Sequence, residues 1–306
     1  MNTMNKTQIL KSLRTLVPSA KLPSAIDFNI KGETLYLKIN GKGVVKNMQN
    51  DSSAFEGWIV TIKAAIQNIA SVVLDWEKPR YENDAQKAHY NRFLMRVAGF
   101  KRGYSWFDVA KKRESEVDGM AKLIDSRTLA VNYPKQECGE VSDPSRNPEA
   151  VLERELVKRW SRDGIIVDEQ LPVGLFRDGK VAEANALTPR RASQIDLWTL
   201  DNDTFRIYEL KARGNESVGI VSELMFYVCT VKYMADGSIA YPDITEAKNH
   251  RHFKELADAI ADKRIKHIIG YFTAPGFHPL IEAQNESILK ILNDNRLGIR
   301  FDFNYI

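Results

Sequence analysis

Cysteine is nearly absent from this chain of 306 residues: Cys138 and Cys229 are the only two, in unrelated contexts and without metal-ligand spacing. That excludes a disulfide framework and a cysteine-based zinc site, and it fits two ordinary thiols in a reducing compartment. No apolar run approaches the length needed to span a bilayer. The amino terminus (MNTMNKTQILKSL) lacks the apolar stretch and small-residue cleavage site of a secretory signal, so a cytoplasmic location is expected. Five histidines (His89, His250, His252, His267 and His278) show no zinc spacing beyond the isolated His250-x-His252 pair. G-x-G-x-x-G, Walker A and G-x-S-x-G motifs are missing, which leaves nucleotide-cofactor and serine-hydrolase chemistry without support. There is no internal repeat and no low-complexity tract.

What is present is the composition of a globular protein, 43% hydrophobic and 27% charged, with a length that suits two domains or one elaborated domain. The net charge of +4 is unevenly spread. Residues 1–145 carry 22 Lys+Arg against 16 Asp+Glu, and residues 146–306 carry 22 against 24. A basic first half permits nucleic-acid binding there. The Pro-, Ser- and Gly-bearing stretch Tyr133 to Pro148 has no helical or strand period and marks the expected boundary. The expectation is a smaller α+β domain over 1–145, whose role the sequence leaves open and for which nucleic-acid or partner binding is an option, followed by a second domain over 146–306.

Before the boundary, Thr34 to Ile39 alternates as a strand, and Ser53 to Ile69 places Phe55, Ile59, Ile62 and Ile66 on one helical face. Ser71 to Trp76 reads as a short apolar strand, and Asp84 to Val97 and Ser115 to Ile124 as helices. After it, a helix runs from Pro148 to about Trp160. Strands follow at Ile165–Val167, Leu171–Phe176, Gln194–Leu200 and Phe205–Lys211. Helices near 218–234, 246–263 and 277–293 alternate with strands at Ile265–Thr273 and Leu297–Tyr305. Helices framing a mixed sheet indicate an α/β (α+β) layer architecture.

The two strands around Asp201-Asn202-Asp203-Thr204 are the most informative part of the chain. Turn chemistry there gives one register, in which Leu200 faces Phe205, Trp198 faces Ile207, Asp196 faces Glu209 and Gln194 faces Lys211. Because side chains alternate along a strand, Asp196, Glu209 and Lys211 share one face. Apolar residues flank them on both sides. Opposed carboxylates in such a setting repel and resist desolvation unless a positive charge joins them. A divalent cation would do so, and Lys211, one pleat along, would orient or activate water against a bound phosphate.

With Gln194-Ile195-Asp196 on one strand and Glu209-Leu210-Lys211 on the next, the chain resembles the PD-(D/E)xK, or restriction-endonuclease-like, superfamily. Ile195 stands where the family's name has Pro. The resemblance implies a mixed sheet flanked by helices over about 148–306, with Mg²⁺ as cofactor and Mn²⁺ as its substitute. It also implies hydrolysis of nucleic-acid phosphodiesters, with Asp196 and Glu209 as metal ligands and Lys211 positioning the nucleophilic water. Many members carry a Glu on a helix before the first strand. Here Glu149, Glu153 and Glu155 are available; Leu152, Leu156 and Trp160 form the core stripe, and Glu153 borders it best, with Glu149 second.

Arg190, Arg191 and Arg213 flank the two strands and suit phosphate contacts. Lys101 through Arg113 mixes basic and aromatic residues, which can grip phosphates and bases but more often marks a solvated helix with its aromatic face turned to the core. The activity expected is a metal-dependent endonuclease, on DNA ahead of RNA, in a restriction, repair or phage-defence setting. Many enzymes of this kind act as dimers, which makes a homodimer the expectation for cutting both strands. The alternative is a non-cleaving nucleic-acid-binding or assembly protein that retains the fold.

Overall fold

The computed structural model describes residues 3–134, 148–162, 165–189, 193–214, 216–241 and 251–306. The chain is a mixed α/β protein with three sheets among the described residues. It divides into two compact units that are not the contiguous halves 1–145 and 146–306. The first gathers Met1–Ala121, Glu216–Met225 and Gly276–Leu297, and the second gathers Lys122–Asn215, Phe226–Pro275 and Gly298–Ile306. Burial decides this grouping, because apolar faces far apart in sequence close over a shared core.

In the first unit the strands are β1 (Thr3–Asn5), β2 (Ile26–Lys31), β3 (Thr34–Ile39), β4 (Ser71–Trp76) and β5 (Phe107–Val109). They lie in sequence order; β1, β2 and β3 pair antiparallel, and β4 and β5 continue parallel. Ile26, Phe28 and Ile30 alternate with Asp27, Asn29 and Lys31, so one face is buried and the other is polar. Helices α1 (Lys6–Leu16), α2 (Phe55–Ala65) and α3 (Asp84–Gly103) belong to this unit, and α4 (Glu114–Asp125) begins in it. Phe55 joins them to the sheet, with ring centroids 5.6 Å from Phe93 and 6.0 Å from Phe107. Strand β2 and helix α1 were not among the elements expected above. Tyr104 and Phe107 are buried and Trp106 is half-buried, so the aromatic side chains of the 101–113 segment turn toward the core.

The second unit holds α5 (Pro148–Arg162), then β7 (Ile166–Pro172), β9 (Gln194–Asp201), β10 (Thr204–Leu210), β12 (His267–Ala274) and β13 (Ile299–Tyr305). These five strands are again in sequence order, antiparallel from β7 to β10 and parallel from β10 to β13. A small sheet joins β6 (Leu129–Val131), β8 (Leu175–Phe176) and β11 (Ile239–Ala240). Helix α6 (Gly219–Ala235) begins in the first unit and ends in the second, and α7 (Phe253–Ala261) lies in the second. The segment expected as one helix near 277–293 forms two, α8 (Pro279–Glu282) and α9 (Asn285–Asn293), both in the first unit.

The two five-stranded sheets therefore have the same strand order and the same strand senses, although no repeat is visible in the sequence. Each contains a hairpin with a two-residue loop, Gly32-Glu33 and Asn202-Asp203. In both loops the first residue has a positive φ, 60° at Gly32 and 52° at Asn202.

Candidate active site

The site is assembled where α5 meets β9 and β10. Leu156 packs with Leu197 and Leu210, and Leu152, Val157, Trp160 and Tyr208 close around them. The stripe expected on α5 is thus the surface that seats the helix on the sheet. That seating buries Glu153 and leaves Glu155 exposed, because one faces the sheet and the other solvent.

The hairpin register is the expected one over five pairs, from Thr204↔Asp201 to Tyr208↔Leu197. Asp196 and Glu209 stand next in that alignment, but the strand pairing has ended. Instead, Asp196 Oδ2 accepts the Leu210 amide at 2.8 Å. The expected pair Gln194 and Lys211 does not form: β10 ends at Leu210, and the Lys211 amide donates to the Thr273 carbonyl of β12 at 2.9 Å. The other neighbour of Asp196 is irregular too. Strand β7 pairs with β9 from Ile166↔Leu200 to Glu169↔Leu197 and again from Leu171↔Ile195. Between them Gln170, opposite Asp196, has φ 51°, in the left-handed region. Asp196 therefore sits at a break in the pairing on both sides of its strand. Such a break exposes polar groups and turns a side chain out of the pleat.

Glu209 and Lys211 form a buried ion pair, Lys211 Nζ to Glu209 Oε1 at 2.5 Å, and Nζ also donates to the Leu210 carbonyl at 3.1 Å. On α5, Glu153 Oε2 accepts from Gln170 Nε2 at 3.3 Å, and Glu149 Oε1 accepts the Ala212 amide at 3.2 Å. Glu149 thus ties the helix to the segment just after Lys211. Burial, followed by the negative charge of Asp196, pushes the Glu153 carboxyl up to about 8, with Glu169 and Glu149 adding and the Gln170 amide opposing. Glu153 is accordingly close enough to Asp196, Glu169 and Glu149 to sense their charge.

The site residues expected from sequence fall into three groups. Asp196, Glu209, Lys211 and Glu153 all lie in the second unit, on neighbouring elements. Arg213 is exposed in the turn after Lys211. Arg190 and Arg191 lie outside the described residues.

Two features escaped the sequence reading. Gln170 has no local signal, since its importance lies in standing opposite Asp196. The second is an ion pair behind β7: Arg251 Nη1 donates to Asp168 Oδ1 at 2.9 Å and to the Glu169 carbonyl at 2.7 Å. The sequence pattern leaves the acids Asp168-Glu169 between two strands, and the structure puts them inside β7. Burial raises the Asp168 carboxyl, and Arg251 pulls it back.

Among the described residues, no group of three or more His, Cys, Asp or Glu side chains is arranged to hold a metal ion together. The donor set still has the chemistry of a hard-cation site, with two carboxylates, Asp196 and Glu209, at the ends of adjacent strands. Lys211 and the Leu210 amide occupy one oxygen of each. A separate cavity of about 360 Å³, lined by Met234, Ile239, Tyr241 and Ala257 among others, contains none of these residues. Among the described residues, no helix is long and apolar enough to cross a membrane. Comparison with family models, with curated proteins and with solved structures finds no match to this chain.

Proposed function

We propose that the second unit is a divalent-metal-dependent nuclease of restriction-endonuclease-like fold that hydrolyses phosphodiester bonds, with DNA preferred to RNA. One observation carries the reading. Asp196 stands at a break in strand pairing, beside the Glu209–Lys211 pair and within electrostatic reach of the buried Glu153. Paired carboxylates next to a buried lysine, with a third carboxyl of perturbed acidity, suit chemistry more than packing.

Asp196 and Glu209 are the residues that would hold Mg²⁺, or Mn²⁺ in its place. The ion, when bound, supplies Lewis-acid polarisation of a phosphoryl oxygen. Lys211 Nζ, already fixed at the end of β10 by the Leu210 carbonyl, orients the attacking water and offers a positive charge to the phosphate. Glu153 holds a proton at neutral pH and, through Gln170, is kept beside Asp196. Arg213, exposed just past Lys211, contributes a phosphate contact, and Arg190 and Arg191 are assigned the same role from the sequence alone. A restriction, repair or phage-defence role and a homodimeric state belong to the same proposal.

The test is cleavage of supercoiled, linear and single-stranded DNA and of RNA with Mg²⁺ or Mn²⁺, comparing the wild type with Asp196→Ala and Lys211→Ala. Metal-dependent cutting that both substitutions abolish is the expected result. Cutting that survives both would remove the site from the reaction.

A second reading has its own support. The Lys211 pair and the Leu210 amide engage the two carboxylates internally, as in a protein that keeps the arrangement for nucleic-acid binding or assembly without cleavage. A binding protein of this kind would bind DNA and cut none, and an assembly protein would show no change in melting temperature with Mg²⁺.

A further inference from the structure

The first unit repeats the strand order and senses of the second, so its strand ends can be compared position by position. With the hairpin loops aligned on Lys31↔Thr34 and Asp201↔Thr204, Asp196 corresponds to Ile26, Glu209 to Ile39 and Lys211 to Gly41. Ile26 and Ile39 are fully buried. Two isoleucines and a glycine cannot hold a cation or activate water, so the corresponding edge of the first unit has no version of that chemistry.

That edge carries positive charge instead. Strands β3, β4 and β5 run parallel and end side by side, with Ile39 next to Trp76 and Leu74 next to Val109. Past these ends the chain presents Lys42, Lys78, Arg80, Lys111 and Lys112, all exposed. The Gly41 amide donates to Glu77 Oε2 at 3.4 Å, and Arg113 donates to the Trp76 carbonyl, so the three loops are neighbours. Acidic residues answer part of this charge. Asp75 pairs with Lys112 at 2.8 Å and with Arg113, Glu77 with Lys38 at 3.3 Å, and Glu116 with Lys78 at 3.8 Å. No ion pair joins Lys42, Arg80 or Lys111 to a described acidic residue. Tyr81 follows Arg80, is 42% exposed, and rests its ring 5.9 Å from that of Tyr90. The three segments of the first unit together carry 21 Lys+Arg against 17 Asp+Glu, a small basic surplus.

We propose that the carboxyl ends of β3, β4 and β5 form a non-catalytic nucleic-acid-binding edge. Lys42, Arg80 and Lys111 take backbone phosphates, Lys78 and Lys112 support them, and Tyr81 stacks on an unpaired base. Nucleic acid is favoured over other polyanions because an exposed aromatic ring, propped on Tyr90, directly follows Arg80, and bases offer a flat face where lipid headgroups and acidic peptides do not. Exposed ends of parallel strands are also where α/β sheets bind ligands. The inference concerns binding alone and does not depend on cleavage by the second unit.

The experiment is fluorescence anisotropy of the full chain with labelled single-stranded and duplex DNA, in EDTA so that nothing is cut, over a series of salt concentrations. The triple variant Lys42→Ala/Arg80→Ala/Lys111→Ala should weaken binding at least about tenfold and flatten the log Kd against log[salt] slope by about 2 to 3. Tyr81→Ala should weaken single-strand binding and leave duplex binding nearly unchanged. The altered side chains are exposed, so an unchanged melting temperature verifies folding. Three outcomes would overturn the proposal: an unchanged slope in the triple variant, no DNA binding by the wild type, or binding to anionic phosphatidylserine vesicles in preference to DNA.

Discussion

Asp196 Oδ2 accepts the backbone amide of Leu210 at 2.8 Å, one step beyond the last strand pair of its hairpin. A carboxylate thus takes the place of a carbonyl in the ladder. If Asp196 ligates a divalent ion, as proposed, binding should stabilise the fold. At a Mg²⁺ or Mn²⁺ concentration a hundredfold above Kd, the gain is about 2.7 kcal/mol. Calorimetric melting should show a rise with metal in the wild type and none in Asp196→Asn, whose neutral amide still fills the same space.

Lys211 and Glu209 are 5% and 1% exposed and 2.5 Å apart. Replacing Lys211 with Met strands a carboxylate in the interior, at a cost of about 3–5 kcal/mol in urea unfolding at neutral pH. Adding Glu209→Gln to the same chain should recover much of that loss. A single-variant cost below about 1 kcal/mol would show that the pair is better hydrated than its burial indicates.

Glu153 supplies a pH signature. Its carboxyl is raised from the ordinary 4.5 to about 8, so the folded state holds a proton that the unfolded state releases. The stabilisation is complete below about pH 4.5 and is lost as pH rises to about 8, where both states are ionised. Glu153→Gln should remove this decline and leave the variant more stable than wild type near pH 8. Unfolding curves across pH 5–9 that run parallel for the two proteins would refute the assignment.

Gln170 adopts φ 51° inside a strand, a conformation that disfavours branched side chains. Gln170→Val should therefore be less stable than Gln170→Gly by about 1–2 kcal/mol, since both variants lose the amide to Glu153 and differ in backbone tolerance. Paired thermal melts measure the difference directly.

Two glycines of the first unit are required by close approach. A Cβ at Gly219 would overlap the Gln49 carbonyl, and one at Gly57 would overlap the Val218 carbonyl. Backbone cannot rotate aside as a side chain does, so Gly219→Ala and Gly57→Ala should each cost about 1–3 kcal/mol or more. Circular dichroism melts of both variants check this, and wild-type stability in either would show that the segments part readily.

Much of the site was legible. Alternation in Gln194–Leu200 and Phe205–Lys211, with turn residues between, predicted the register that Phe205↔Leu200 and Ile207↔Trp198 display. Helical spacing on α5 predicted which face meets the sheet, and with it the burial of Glu153. The strand expected in two pieces, Ile165–Val167 and Leu171–Phe176, is mostly the continuous β7, because pairing with β9 carries it through Asp168 and Glu169. The aromatics of 101–113 suited either bases or the core, and the core took Tyr104 and Phe107.

The sequence by itself determined what depends on near neighbours along the chain: periodicity, turn chemistry, the hairpin register, and the placing of Asp196, Glu209 and Lys211 near one end of it. Only the tertiary structure decided what depends on segments far apart. Pairing with β7 sets Gln170 opposite Asp196, and the sheet shuts Glu209 and Lys211 into an ion pair. Long-range burial also groups 216–225 and 276–297 with the first unit, and gives two sheets one topology although their residues differ. The physical reason is that local pattern follows from backbone geometry, which each short segment carries with it. Which faces meet, and which charges are buried together, is settled by the free energy of the whole folded chain.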